Sequence, residues 1–383
     1  MNRFHVFRIV ALITVGCLGN ALVAADDADW TKHIIHEGKR AMTVVAGDFT
    51  GDGLPDVISD TGEKTRLFVA PDWTEVIVDD HPGVQTYIHS ECFDVDGDGR
   101  LDYIGARYKP GLIVWLRQPD SATTDRWEKR QISDSVHGIH GLIQGDVDAD
   151  GTPDLLATSA QPLPPFAESL VWFRVPDAPL NHAMWTPHVF ADHDAPGLTH
   201  YLGVGDIDGD GRLDAATGAK GGPTATSTGE WFAWWKSPKD PTEPWAKQLI
   251  SGDEPGATNI HPWDVDGDGD IDLVASRGHG QGVVWFEAPS WDRHDIDDSI
   301  REPHCLAVID MDADGDVDVV TCAYGDKIAV WYENDGQGRF DRHLIGRDQE
   351  AYDIRVIDMD IDGDLDVVIA GRASDNVVWY ENP

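Results

Sequence analysis

Positive charge is what this chain lacks most: 29 Lys and Arg stand against 69 Asp and Glu, a formal net charge of −40. Phosphate backbones are held by Lys and Arg, so nucleic acid is excluded as a partner. Cysteine is scarce too, with four in 383 residues. One of them, Cys17, falls in an N-terminal leader. Cys92, Cys305 and Cys322 remain, an odd number, so no disulfide framework carries the fold. Cys305 and Cys322 flank one acidic loop and are expected as buried thiols facing each other across a hairpin. No apolar run beyond the leader approaches the ~20 residues of a membrane span. Helical periodicity is missing, as are G-x-S-x-G, H-E-x-x-H and the Rossmann and P-loop glycine patterns. These absences argue against nucleophilic hydrolysis and nucleotide binding.

The leader itself reads as a targeting segment. Arg3 and Arg8 precede the apolar run Ile9 to Gly16, and Val23 and Ala25 suit the −3 and −1 positions of a signal peptidase site. Residues 1–25 are therefore expected to be a signal peptide, leaving an exported domain over 26–383, periplasmic or extracellular. An alternative takes Cys17 of "TVGC" as the acylated residue of a lipoprotein, with Thr14 where Leu is usual.

What the chain has in abundance is aspartate at fixed spacing. The pattern D-x-D-x-D-G-x-x-D starts at Asp48, Asp94, Asp146, Asp206, Asp264, Asp310 and Asp358, at intervals of 46, 52, 60, 58, 46 and 48 residues. Positions 1, 3, 5 and 9 offer carboxylates, position 7 a backbone carbonyl, and Gly at position 6 the sharp turn. Oxygen ligands of that number and flexibility suit Ca²⁺. The expected ligand sets are Asp48, Asp52 and Asp56; Asp94, Asp96, Asp98 and Asp102; Asp146, Asp148, Asp150 and Asp154; and Asp206, Asp208, Asp210 and Asp214. They continue with Asp264, Asp266, Asp268 and Asp272; Asp310, Asp312, Asp314 and Asp318; and Asp358, Asp360, Asp362 and Asp366. Thr50 takes position 3 of the first loop, which should be the weakest site. Near-identical carboxylates repeated seven times do not provide the contrasting pKa values of an acid–base pair. Up to seven structural Ca²⁺ ions are expected.

Two further signals repeat in step. One runs "WTKHII", "WTEVIV", "WEKRQI", "WTPHVF", "WAKQLI", "WDRHDI", "FDRHLI"; the other is an apolar aromatic run such as "VVWFE" or "LIVWL". Short β-branched and aromatic segments bounded by Gly, Pro, Asn and Asp indicate strands. Four strands per unit, repeated at this period, predict an all-β, seven-bladed β-propeller. The first "WxxHxI" segment precedes the first acidic loop, so the N-terminal strand is expected to complete the last blade.

On these in-register motifs the sequence resembles the FG-GAP/VCBS-repeat β-propellers, the superfamily that includes integrin α-subunit heads. The literal Phe-Gly and Gly-Ala-Pro signatures are missing, and the likeness is closer to bacterial VCBS proteins.

Function is expected at the other end of the innermost strands. His140, His200 and His304 stand six residues before the first Asp of their loops, and His89 five before; His261, three before, departs from that register. Arg107, Lys220, Arg277 and Arg372 follow the last Asp by five or six residues, Tyr324 takes the same place in blade 6, and Tyr108 and His279 are neighbours. The reading takes His89, His140, His200, His304, Tyr108 and Tyr324 as candidate catalytic groups. It takes Arg107, Lys220, His261, Arg277, His279 and Arg372 as ligand-binding. Two chemistries fit: neutral imidazoles holding Zn²⁺ or another transition metal, or a His or Tyr base with Arg and Lys stabilising an enolate-like intermediate. The segment "NIHPWDVDGDGDIDLVASRGHGQGVVWFEAP" resembles the propeller domain of aldos-2-ulose (anhydrofructose) dehydratases. That resemblance implies metal-assisted elimination of water from keto-sugars and carries His261, Arg277 and His279. Seven-bladed polysaccharide lyases are a second analogue. The expected ligand is a carbohydrate or anionic small molecule; the alternative is a non-catalytic propeller that binds a glycan or a protein partner.

Overall fold

The computed structural model describes residues 30–383 apart from 223, 224 and 226. The expected signal peptide and Cys17 lie outside the described residues. The described chain forms seven four-stranded antiparallel sheets, each built from consecutive strands except the last. The innermost strands are Ala41–Gly47, His89–Phe93, Leu142–Gly145, Thr199–Gly205, Asn259–Trp263, Pro303–Ile309 and Asp353–Ile357 in blades 1 to 7. The last sheet is completed by the N-terminal strand Thr31–Glu37, antiparallel to Asn376–Glu381, with Thr31 opposite Glu381 and His33 opposite Trp379. This closure covers the edge of the C-terminal strand and ties the two ends of the described chain into one sheet. Among the described residues no helix is long and apolar enough to cross a membrane.

Burial follows position in the blade. The second strand, as in Asp318–Ala323 (DVVTCA), is buried at every residue. It is covered on both faces by neighbouring blades, which is why it reads as a continuous apolar run. The outer strand, as in Phe340–Arg347, is mostly solvated.

The histidine of the repeated "WxxHxI" segment finds a structural role here. In blade 5, His294 lies directly opposite Trp285 of the third strand, stacks on it at 4.5 Å, and meets Glu287 at 2.7 Å. His343 does the same with Trp331 and Glu333 in blade 6, and His33 with Trp379 and Glu381 in blade 7. Each imidazole shields an outer-face Trp from water while its polar edge stays paired.

One expectation is corrected. Cys305 and Cys322 occupy directly paired positions on adjacent strands, Cα atoms 6.0 Å apart, and form a disulfide rather than two buried thiols. The register of the blade puts the two sulfurs face to face. Cys92 is free.

Candidate functional site

The acidic loops join the first and second strands of every blade, on one face. Their last aspartate opens the second strand and is buried in all seven blades. Its two oxygens accept backbone N–H groups from the loop and from a residue at or just past the end of the third strand. Asp318, for example, accepts from Met311 at 2.9 Å and Asn334 at 2.8 Å. Position 9 therefore staples loop to blade, a role that composition alone did not suggest. The first aspartate organises the turn in the same way, Asp310 accepting from Asp314 and Gly315 at 3.1 Å each. Carboxylate oxygens of Asp94, Asp96 and Asp102 lie within 4.8 Å of one another, as do those of Asp146, Asp148 and Asp154, and of Asp264, Asp266 and Asp272. Burial pushes Asp102 and Asp154 up to about 7, and Asp214, Asp272, Asp318 and Asp366 to about 6.

The loops are not equivalent. The residue at the end of the third strand, opposite position 9, is Val69 in blade 1, then Arg117, Arg174 and Lys236 in blades 2 to 4, and Glu287, Glu333 and Glu381 in blades 5 to 7. In blades 2 to 4 that cation enters its own loop: Arg117 meets Asp96 and Asp98, Arg174 meets Asp148 at 2.8 Å and Asp150 at 2.9 Å, and Lys236 meets Asp208 and Asp210. In blades 5 to 7 the same place adds a carboxylate.

The opposite face gathers the histidines. His200 and His304 sit on the innermost strands of blades 4 and 6, His140 just before that of blade 3, and His89 at the start of that of blade 2. His279 reaches the same place from the turn after the second strand of blade 5. His200, His279 and His304 each bring a ring nitrogen within 4.8 Å of the others. His200 Nδ1 lies 3.0 Å from the Leu198 carbonyl, and His304 Nδ1 lies 3.3 Å from the Tyr352 carbonyl. A neutral ring donating Nδ1–H there keeps its Nε2 lone pair free. His304 Nε2 is buried with no hydrogen-bond partner, and His279 Nε2 stands 3.1 Å from His200 Nε2. Beside this triad His89 Nε2 approaches His140 Nδ1 at 3.3 Å, and His140 stacks on His200 at 4.0 Å.

Burial holds all five rings neutral. His140 is lowered to about 4 and His279 to about 3, by burial first and Lys220 next; His89, His200 and His304 fall well below the ordinary value. A cavity of about 340 Å³ above them is lined by His89, His140, His304, Tyr108, Tyr201, Tyr352, Arg40 and Arg372 among others. A second of about 280 Å³ is lined by Tyr108, His140, His200 and Lys220 among others. Neither lining contains an Asp or Glu, in a chain with 69 of them.

The predicted residues divide. His89, His140, His200, His304, His279, Tyr108, Lys220 and Arg372 come together. Tyr324 flanks the pocket, its ring 5.0 Å from Tyr352 and under Arg372. His261, three positions nearer its acidic loop, lies ~10 Å further along the strand and lines neither cavity. Arg107 is buried over the Tyr87 ring at 4.3 Å. Arg277 faces Glu254 at 3.8 Å and lines a separate cavity with Arg301.

Sequence reasoning missed Tyr352, Tyr201 and Arg40. Tyr352 stands six residues before Asp358, the blade 7 counterpart of His304, and Tyr201 shares the five-residue register of His89. Both carry the same register signal as the histidines, with tyrosine in place of histidine. Tyr352 stacks on His304 at 3.5 Å with Arg372 over its ring at 4.1 Å, and Tyr201 donates its hydroxyl to the Tyr352 carbonyl at 2.7 Å. Arg40 had no sequence signal.

With this geometry in view, the chain is a seven-bladed β-propeller carrying FG-GAP-like repeats: residues 94–157 and 310–382 match the FG-GAP-like repeat. No curated protein matches the chain in sequence. Among solved structures, BBS1N in complex with ARL6DN, soaked with lead, is similar in fold at a TM-score of 0.60 and 9% identity, over 93% of this chain and 98% of that one. The mercury-soaked crystal of the same complex gives 0.57 at 9% identity, over the same shares. At that identity the likeness speaks for the fold alone.

Proposed function

We propose that this is an exported, calcium-stabilised propeller that binds an anionic carbohydrate in the histidine pocket and eliminates water or a sugar leaving group from it, as a lyase or dehydratase. The observation that carries this reading is the triad His200, His279 and His304. Its nitrogens converge, two Nδ1 positions are committed to carbonyls, and one buried Nε2 is left without a partner. Three neutral imidazoles so arranged fit a divalent transition metal such as Zn²⁺ with room for further ligands. When bound, such an ion polarises a substrate oxygen and makes a neighbouring C–H more acidic.

The chain's own groups supply the rest. The neutral His89–His140 pair, in contact at 3.3 Å, is the base that removes the proton, with Tyr108 against His140 on the pocket side. Arg40 and Arg372 in the larger cavity and Lys220 in the smaller one attract negative charge and stabilise it as it develops. The resemblance to the dehydratase propellers supports the same class of reaction. Calcium fits best in blades 5 to 7, where the strand-end residue is Glu; in blades 2 to 4 Arg117, Arg174 or Lys236 already neutralises part of the loop. The competing reading is a non-catalytic glycan- or protein-binding propeller, favoured by the structural neighbours being complexes with a protein partner.

The deciding experiment incubates purified protein with keto-sugars and acidic polysaccharides, following ultraviolet absorbance of unsaturated product, with elemental analysis of the same sample. Product formation together with bound transition metal supports the lyase. No product and no such metal puts the binding propeller first.

A further inference from the structure

The histidine pocket has two lobes, and its cations are divided between them. The larger lobe takes Arg40 and Arg372, from blade 1 and blade 7; the smaller takes Lys220, from blade 4. Tyr108 and His140 line both, so the two cavities lie side by side against those side chains. In a ring of seven, blade 4 stands across the axis from the junction of blades 7 and 1. The His89–His140 pair and the His200 triad member lie between the two charged ends.

These cations are unusual for this molecule. Most Lys and Arg of the described residues meet a carboxylate, as Arg117, Arg174 and Lys236 do. Among the described residues no ion pair is made by Arg40, Arg372 or Lys220, and Arg372 Nε is buried without a hydrogen-bond partner. Arg372 rests on the Tyr352 ring, which holds its guanidinium in place without neutralising it. Positive groups collected without counter-ions, in a cavity that no Asp or Glu lines, are offset only when an anion enters.

We infer that the pocket is built for a ligand with two anionic groups, one on Arg40 and Arg372 and the other on Lys220, so that the bond to be broken lies over the histidines between them. A short oligomer of acidic sugars, two carboxylates on adjacent residues, has that chemistry. The inference rests on the proposed function for the carbohydrate but not for the two anion subsites.

Titration calorimetry of the protein at low salt tests it, with galacturonate, digalacturonate and the non-sugar dicarboxylate glutarate as probes. Digalacturonate is expected to bind at least tenfold more tightly than galacturonate, the gain of one more charge-assisted contact. Lys220→Met should erase that gain and leave galacturonate within about twofold, whereas Arg372→Gln should weaken both sugars about tenfold or more. Both positions lie on loops, and unchanged melting temperatures verify that the variants fold. Equal affinity for the two sugars, or a gain that survives Lys220→Met, overturns the inference and leaves the carbohydrate reading standing. If only glutarate binds, dependent on Lys220, the two subsites stand and the carbohydrate reading falls. If no probe binds, both fall.

Discussion

Blades 2 to 4 and blades 5 to 7 carry almost the same acidic loop, yet they treat its charge in opposite ways. The first group inserts a strand-end Arg or Lys among the aspartates; the second places a Glu there and turns it outward to a histidine stacked on Trp. A loop with its own cation can hold its shape alone. A loop with an added carboxylate gathers like charges that repel one another, and on the proposed function a cation from solution offsets them. One repeated motif thus carries its own cation in blades 2 to 4 and an extra carboxylate in blades 5 to 7. The same contrast separates the two faces, since the two cavities at the histidine end are lined by cations and by no carboxylate.

The largest expected effect breaks the comparison at its root. Removing calcium with a chelator should lower the melting temperature on the order of 10 °C or more, because several sites each contributing about 2–3 kcal/mol are lost together. An unchanged melting temperature would mean that blades 5 to 7 manage without a metal. At the other face, His304→Ala should cost about a hundredfold in affinity for Zn²⁺ and abolish turnover, while the cavity it leaves costs only ~1–3 kcal/mol. Full activity in that variant would remove the triad from the mechanism.

Acid should act on the histidine face with a definite sign. The unfolded imidazoles titrate near 6.5, whereas folded His140 and His261 are held at about 4 and His279 at about 3. At these rings the unfolded chain takes up protons that the folded one refuses, so the stability they contribute is full above about 6.5 and is lost as the pH drops toward 4. In the same window the raised position-9 aspartates, at about 6 to 7, act with the opposite sign, so the histidine part is read as a difference. Followed by circular dichroism, chelator-treated His261→Leu should lose less stability between pH 6.5 and 4 than the chelator-treated wild type, and an identical profile would remove His261 from the effect. The smallest effect separates the two halves of the ring directly. Arg117→Met should destabilise the calcium-free protein by ~1 kcal/mol and raise the number of bound Ca²⁺ by one, whereas Glu333→Gln should leave blade 2 untouched. Equal calcium stoichiometry in the wild type and Arg117→Met would make the inserted guanidinium incidental.

The amino-acid sequence determined the architecture, because seven copies of one pattern leave little choice. Each unit has apolar second and third strands that can be buried only between like neighbours, and the surplus "WxxHxI" segment at the start had to close the ring. It also determined which face is acidic, since the loop motif fixes its own turn through Gly and aspartate. The six-residue register predicted His140, His200 and His304 at one mouth for the same reason: extended strands translate sequence distance into height. What only the tertiary structure decided is who meets whom across the ring. His279 joined the triad from a turn, Arg277 and Arg107 left for other partners, and Arg40, Tyr201 and Tyr352 entered without having been proposed. The strand-end Arg, Lys or Glu was legible in the sequence as a letter but not as a contact. Height along a strand is local and periodic, but convergence on the axis depends on side-chain reach, loop course and the charge of the neighbouring blade, which no single repeat contains.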